Sequence, residues 1–515
     1  MTHNELGHFD WLREWARLAP AKVAVKDGDS GRCLSYFDLY QLSGLLSQKL
    51  ESTFQLKRGD RIGLLATNEL ESVVLFFASL RLGTVLVPIN FRLTGRELDH
   101  ILNDSDPGLL IAQAAFIPTI ETCKFKSQNF LFEDLQKMID EMIISVRKSR
   151  SSYVPANLKS DQPDHPCMIL YTSGTTGAPK GAMITPRMLH WNSINTTLRL
   201  NLSETDVFVS FLPFFHTGGW NVLLTPFMHR GATVVLTKKF DAERVLSLCE
   251  SEKVTIMFGV PTTMEMMSRS PAFQSCDLRR VRYAIVGGEP MPIELIRRWQ
   301  EKGIPIRQGF GLTEFGPNVF SLDESDAVRK IGSIGSPNFY VEARIVDESR
   351  KDVSPGQIGE LILKGPVCTP GYWNNPSATA AAIVDGWFYT GDLVRTDSDG
   401  YFYVAGRKKD MYISGGENVY PVEVETVLSQ HPAVREVAVI GIPDAKWGEV
   451  GCAYIALTEK EVATAEQIIA FCSDKLAKFK IPKIVHFLPA LPKGDSGKIL
   501  KRHLRQSVDT RSGLS

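Results

Sequence analysis

The sequence predicts an α/β protein with a large amino-terminal domain of several subdomains, its mixed sheets covered by helices, and a small α+β domain at the carboxyl end. Between Arg61 and Leu102 short apolar runs alternate with helical stripes, the pattern of a parallel or mixed sheet under helices. The apolar runs Ala232–Leu236, Thr255–Phe258 and Tyr283–Val286 each stop close to a Gly or Pro turn, as buried strands do. Near residue 406 the texture changes: Gly406-Arg407-Lys408-Lys409-Asp410 is a charged stretch in an apolar neighbourhood. At 515 residues the chain exceeds what a single core serves.

In order along the chain, Trp11, Trp15 and Leu18 share one face of a helix that ends at Pro20. Val23 and Val25 alternate into an Asp27-Gly28 turn and Leu34 resumes a strand, which predicts a hairpin. Leu39, Leu42, Leu46 and Leu50 form a helical stripe, Arg61–Ala66 a strand, Glu69–Leu82 a helix and Val85–Pro88 a strand. Thr94 and Glu97 have capping-box spacing ahead of Leu98, Ile101 and Leu102. Residues 148–166 are polar and Pro-containing, a surface connection. Beyond Lys409 the pattern gives a helix (Val422–Ser429), strands (Glu436–Ile440, Ala453–Leu457) and a helix (Ala465–Leu476). The domains are thus 1–408 and 409–515.

Composition excludes several classes. The 58 basic and 58 acidic residues balance, giving no electrostatic case for nucleic acid or an acidic membrane. Eight scattered cysteines with no C-x-x-C pair argue for a reducing, cytoplasmic setting, without a disulfide framework or a zinc site. Residues 1–20 lack the apolar core of a signal peptide. Val207–His229 carries no Asp, Glu, Lys or Arg, but Pro213, Gly218-Gly219 and Pro226 interrupt it, so it reads as a buried pocket wall rather than a membrane span. Peripheral membrane contact and a homodimer are left open.

The chemistry is concentrated first in residues 171–185. The buried run Cys167–Leu170 leads into Thr172, Ser173, Thr175 and Thr176, interleaved with Gly174 and Gly177 and followed by Lys180. Glycines let backbone N–H groups converge, hydroxyls add neutral donors and one ammonium adds charge, which suits a polyphosphate. It is not a Walker loop, since Pro179 precedes Lys180 and Gly181 follows it. Gly287-Gly288-Glu289 lies at a strand's carboxyl end, where open α/β sheets bind ligands. In Gln308-Gly309-Phe310-Gly311-Leu312-Thr313-Glu314, flanking glycines admit a planar ligand to the face of Phe310. On residues alone, Asp392 reads as a turn residue, Lys409 as a linker lysine and Lys498 as a surface lysine, while His216 reads equally as a core histidine.

Together these motifs resemble the signatures of the adenylate-forming acyl-CoA synthetases, over most of the chain. By that resemblance Lys498, in Ser-Gly-Lys, Glu314 and His216 are catalytic, with Glu314 and Thr176 as Mg²⁺ ligands. Thr172 to Gly177 and Lys180 are implied to hold the triphosphate, Gly288, Glu289 and Gln308 to Gly311, with Thr313, to form the adenine side, Asp392 to hold the ribose hydroxyls and Arg407 to contact ribose or phosphate. Phe310 stands where the family usually has Tyr, which removes a polar handle and keeps the stack. His216, Gly218, Gly219, Trp220 and Gly287 are implied to form the acyl pocket, and Gly218, Gly219, Gly287, Gly288 and Gly311 withhold side chains, leaving room for an acyl or aryl tail. Gly415, Gly416 and Trp447 are implied to meet coenzyme A, and Lys409 to be the hinge of a mobile small domain.

The resemblance implies an acid–thiol ligase. ATP activates a carboxylic acid to an acyl-adenylate, with Mg²⁺ as cofactor, and coenzyme A then takes the acyl group. No Asp lies between Val207 and His229 to pair an amino group, so a free amino acid is not the expected substrate. A medium- or long-chain fatty acid is expected. The alternatives are an aryl acid of the coumarate or succinylbenzoate kind, or a carrier protein as acceptor; no carrier domain follows residue 515, which favours the free coenzyme.

Overall fold

The computed structural model describes residues 10–148, 162–172, 179–458, 461–494 and 499–512. The first part of the chain builds three sheets that each mix parallel and antiparallel pairs. In the six-stranded sheet the order is Gln128–Leu131, Leu109–Ala112, Arg61–Leu65, Val85–Pro88, Met168–Thr172, Lys180–Ile184. Only the last pair is antiparallel. A second sheet runs Ile256–Gly259, Tyr283–Val286, Ile306–Phe310 in parallel, then adds two short antiparallel strands, Phe320–Ser321 and Ser336–Pro337. The third joins the predicted hairpin, Val23–Asp27 and Cys33–Ser35, to Thr233–Leu236 and Val207–Ser210.

The strands are short and buried on both faces, so they read as unbroken apolar runs rather than alternations. Helix Leu70–Leu82 is buried along its whole length and stops at Gly83, whose φ of +80° no side chain takes cheaply. The Thr94–Glu97 capping box forms as its spacing predicts. Val207–His229 is broken into a strand and two helices, Thr217–Trp220 and Leu224–Arg230. Among the described residues no helix is long and apolar enough to cross a membrane.

The region 336–407 was not assigned elements from the sequence. It forms an antiparallel sheet of Glu342–Val346, Gly359–Lys364, Trp387–Thr396, Ile383–Val384 and Phe402–Arg407. Residues 412–504 form a sheet with two cores of their own, on either side of the long hairpin Val434–Asp444 and Gly448–Leu457. Strand Ile484–Phe487 adds in parallel to that hairpin and Tyr412–Ser414 adds antiparallel, an α+β arrangement as expected.

Buried polar groups bind the amino-terminal helix to this body. His229 lies under Trp11, with ring centroids 4.5 Å apart, and its Nδ1 is 2.8 Å from Ser193 Oγ. Burial, with His190 and Arg230 nearby, pushes its pKa down to about 3. The unfolded chain, titrating at about 6.5, therefore binds the proton more readily than the fold does. Stability from this group is full above about pH 6.5 and is lost as pH falls toward about 3. The expected slope is about 1.4 kcal/mol per pH unit in that window. Urea titrations from neutral to mildly acidic pH should show the slope reduced in His229→Gln; an unchanged pH dependence would remove His229 as its source.

Candidate active site

The hydroxyl-rich loop is bracketed by an antiparallel pair, with Thr172 opposite Lys180, and Thr172 Oγ1 donates to the Lys180 carbonyl at 3.4 Å. Ser173, Gly174, Thr175, Thr176 and Gly177 lie outside the described residues, as does Lys498, which Lys493 and Ile499 flank as a bridged pair. The exit strand Lys180–Ile184 is clamped from its far side by residues 369–373. Met183 N–H donates to the Gly371 carbonyl (3.1 Å) and Trp373 N–H to the Gly181 carbonyl (2.7 Å). Gly181 must be glycine here, because a Cβ would come within 2.7 Å of Ile169.

That same segment holds Glu314. The Tyr372 hydroxyl donates to Glu314 Oε1 at 2.9 Å, and Thr369 N–H donates to the Glu314 carbonyl at 2.8 Å. Glu314 sits on a single 3₁₀ turn, Thr313–Phe315, anchored by fully buried Phe315. The Lys180 ammonium stands 5.4 Å from the centroid of the Tyr372 ring. Burial and the Glu314 carboxylate push the Tyr372 pKa up, which keeps the hydroxyl a donor, while Arg407 acts on it in the opposite direction. Arg407 in turn pairs with Asp392, Nε to Oδ1 at 2.7 Å, the two lying opposite each other in adjacent strands. The fold thus gathers Lys180, Glu314, Asp392 and Arg407, four residues spread over more than two hundred positions, and adds Tyr372. The sequence reading passed over Tyr372.

Among the residues expected on the adenine side, Gly287 lies just past strand Tyr283–Val286 and approaches Gly309 of the neighbouring strand, with a Cβ on Gly287 only 3.2 Å from the Gly309 carbonyl oxygen. Gly288 follows with φ +88° and leads to Glu289. Phe310 ends its strand half-buried and edge-on to Phe320, with centroids 5.8 Å apart. Gln308 is committed elsewhere: Oε1 accepts from Met291 N–H (3.0 Å) and Nε2 donates to the Ser333 carbonyl (3.3 Å). Its buried side chain braces the strand, which leaves only its backbone for the expected nucleotide contact.

His216 ends a loop that Asn68 aims. Asn68 Nδ2 donates to the Leu212 carbonyl (2.9 Å) and its Oδ1 accepts from Phe214 N–H (3.0 Å), a clamp the sequence reading missed. The half-buried His216 ring lies 4.7 Å from Phe215, itself edge-on to Phe91. Here the expectation that glycines open room for a tail needs correction. A Cβ on Gly219 would stand 2.4 Å from the Pro213 carbonyl oxygen, and one on Gly311 would stand 1.9 Å from that of Pro317. Both are glycines because backbone passes there. A Cβ on Gly218 would meet Leu212 and Phe258 at ordinary distances. Trp220 is fully buried, stacked on Phe214 at 4.3 Å and tilted against Phe76, so it supports the loop from the core.

In the small domain, Gly415 and Gly416 take φ of +63° and +88°, and a Cβ on Gly415 would strike the Trp447 ring at 2.7 Å. Gly415 N–H donates to the Trp447 carbonyl at 2.8 Å, so these three residues form one surface. Lys409 lies exposed in the turn after Phe402–Arg407. Its neighbours are tied in opposite directions, Lys408 to Glu360 and Asp410 to Arg505, each at 2.8 Å.

The Glu314 carboxylate, joined through Tyr372 to Lys180, suits a hard cation shared with phosphate. Among the described residues no group of three His, Cys, Asp or Glu side chains could hold a metal ion alone. Mg²⁺ ordinarily takes one or two protein carboxylates and completes its shell with water and substrate phosphate.

Comparison with known proteins agrees with this geometry. The family model for the AMP-binding enzyme matches residues 12–373, and that for the AMP-binding enzyme C-terminal domain matches 423–498. A feruloyl-CoA synthase of Amycolatopsis is 37% identical over 516 residues, covering 98% of this chain and 99% of its own. A long-chain-fatty-acid–CoA ligase of Mycobacterium tuberculosis is 35% identical over 504 residues, covering 96% and 97%. Among solved structures, o-succinylbenzoate CoA synthetase from Bacillus subtilis, in complex with its acyl-adenylate intermediate, superposes with a TM-score of 0.84 at 31% identity, covering 96% of this chain and 98% of that one. The same enzyme has been solved with ATP and magnesium ion. The chain belongs to the AMP-binding enzyme family, the adenylate-forming superfamily, on its acyl-CoA synthetase branch.

Proposed function

We infer that this enzyme joins a compact hydrophobic carboxylic acid, of the aryl class, to coenzyme A through an acyl-adenylate. The observation that carries the acid class is the packing behind the His216 loop. Backbone fills the space beside Gly219 and Gly311, so these two glycines do not open a long channel, and Leu212 and Phe258 line the space beside Gly218. Phe215 stands beside His216 and packs edge-on to Phe91, an aromatic lining suited to a planar acid. The fatty-acid reading keeps the support of the long-chain relative at 35% identity.

In the first half-reaction the substrate carboxylate attacks the α-phosphorus of ATP and pyrophosphate leaves. Both reactants are anions, so catalysis rests on fixed cations and donors aimed at the phosphates. Lys180 and the loop hydroxyls line one side; Glu314 and Thr176 would hold Mg²⁺, which when bound neutralises phosphate charge. Asp392 accepts from the ribose hydroxyls, with Arg407 holding the carboxylate in place, and Lys498 supplies a further cation from the small domain. In the second half-reaction the thiol of coenzyme A attacks the acyl carbonyl and AMP departs. We place the hinge between these poses at Lys409. Its support is the opposed anchoring of Lys408 and Asp410, together with the unmatched interval between the two family models.

A panel of aryl, medium-chain and long-chain acids, read as AMP released with ATP and coenzyme A, tests the reading. Aryl acids should give the highest kcat/KM. Turnover confined to long-chain acids would return the assignment to a fatty-acid ligase, and no AMP with any acid would end it.

A further inference from the structure

Resting on the reading of Glu314 as the Mg²⁺ ligand, we propose that Tyr372 is a positioning residue that sets both this carboxylate and Lys180 for the metal–nucleotide. Three observations carry it. The Tyr372 hydroxyl donates to Glu314 Oε1 at 2.9 Å, so one carboxylate oxygen is fixed before any cation arrives. The Tyr372 ring faces the Lys180 ammonium at 5.4 Å, so the same side chain meets the lysine that the phosphate loop presents. Finally, Tyr372 lies in the segment that ties Glu314 to the exit strand of that loop, through Thr369 N–H to the Glu314 carbonyl and Trp373 N–H to the Gly181 carbonyl.

Each link has a physical consequence. A hydroxyl bonded to one oxygen of a metal-binding carboxylate restricts its rotation and tunes its basicity, and loss of such outer partners typically lowers metal affinity about 10–100-fold. An aromatic face under an ammonium restrains a flexible side chain with a weaker attraction. Tyr372→Phe separates the two, since it removes the hydroxyl and keeps the face.

The test measures equilibrium binding of an ATP analogue with a methylene group between its α and β phosphorus atoms, with Mg²⁺ and with a chelator, to the full-length enzyme. In the wild type Mg²⁺ should tighten binding. In Tyr372→Phe that gain should shrink at least about tenfold while metal-free binding stays as in the wild type. Tyr372→Leu should also weaken metal-free binding by a few-fold. In a Glu314→Gln background the Tyr372→Phe change should add nothing, a cycle that reads the coupling even where one variant is less stable. A Tyr372→Phe enzyme with the full Mg²⁺ gain, or with both forms weakened equally, would overturn the proposal. A wild type that binds neither form would instead overturn the nucleotide site itself.

Discussion

Replacing Asp10 by alanine is expected to destabilise the fold by about 3–5 kcal/mol, because it leaves a guanidinium buried without its carboxylate. Arg81 and Asp10 have side chains only 3% and 7% exposed, and they meet at 2.8 Å. Arg81 Nε also donates to Ser43 Oγ at 2.8 Å, and the guanidinium lies 4.5 Å over the Tyr40 ring. Asp10 accepts from Arg13 N–H and caps the first helix, so its loss also removes a helix cap. The pair therefore fastens Trp11–Leu18 to helix Leu70–Leu82, across a core containing Leu12 and Trp11. Urea unfolding at neutral pH measures the loss. Asp10→Ala combined with Arg81→Met should recover much of it, since an apolar replacement of both partners is often neutral. A single variant within about 1 kcal/mol of wild type would show that the guanidinium stays hydrated.

Lys498→Ala is expected to lower acyl-adenylate formation on the order of 10²–10³-fold, the usual cost of one preorganised transition-state donor. The loss should be confined to that half-reaction. The account gives Lys498 to the adenylation pose alone, so thioester formation from preformed acyl-adenylate and coenzyme A should proceed near the wild-type rate. Single-turnover measurement of the two halves separates the cases. Equal loss in both would mean that Lys498 acts on folding or domain closure instead of on the phosphates.

How much of this was legible in the sequence follows from the reach of each interaction. Elements fixed by local pattern were: Trp11–Leu18, the hairpin at Val23–Ser35, the Thr94 capping box and strand Tyr283–Val286 all lie where periodicity and turn residues put them. The antiparallel sheet of residues 342–407 was not, because its apolar runs are short, as in Leu361–Leu363, and Glu342–Val346 interleaves charged with apolar residues. At the site, Gly-rich motifs identified the backbone that comes close, and the family resemblance supplied Asp392 and Arg407. Their pairing across adjacent strands is a long-range fact that no spacing encodes. Tyr372 and Asn68 escaped for the same reason: each acts through a partner that is distant in sequence, Glu314 and the Leu212–Phe214 loop. The glycines misled in the opposite sense. A missing side chain can admit a ligand or the protein's own backbone, and at Gly219 and Gly311 it is the backbone.

The central claim is that a carboxylate attacks the α-phosphorus of ATP in this site. It is tested most directly by supplying the preferred acid with isotopically heavy oxygen in its carboxylate and weighing the products. Attack as described carries one heavy oxygen into AMP and none into pyrophosphate. Heavy oxygen in pyrophosphate or inorganic phosphate, or AMP free of label after full turnover, would contradict it.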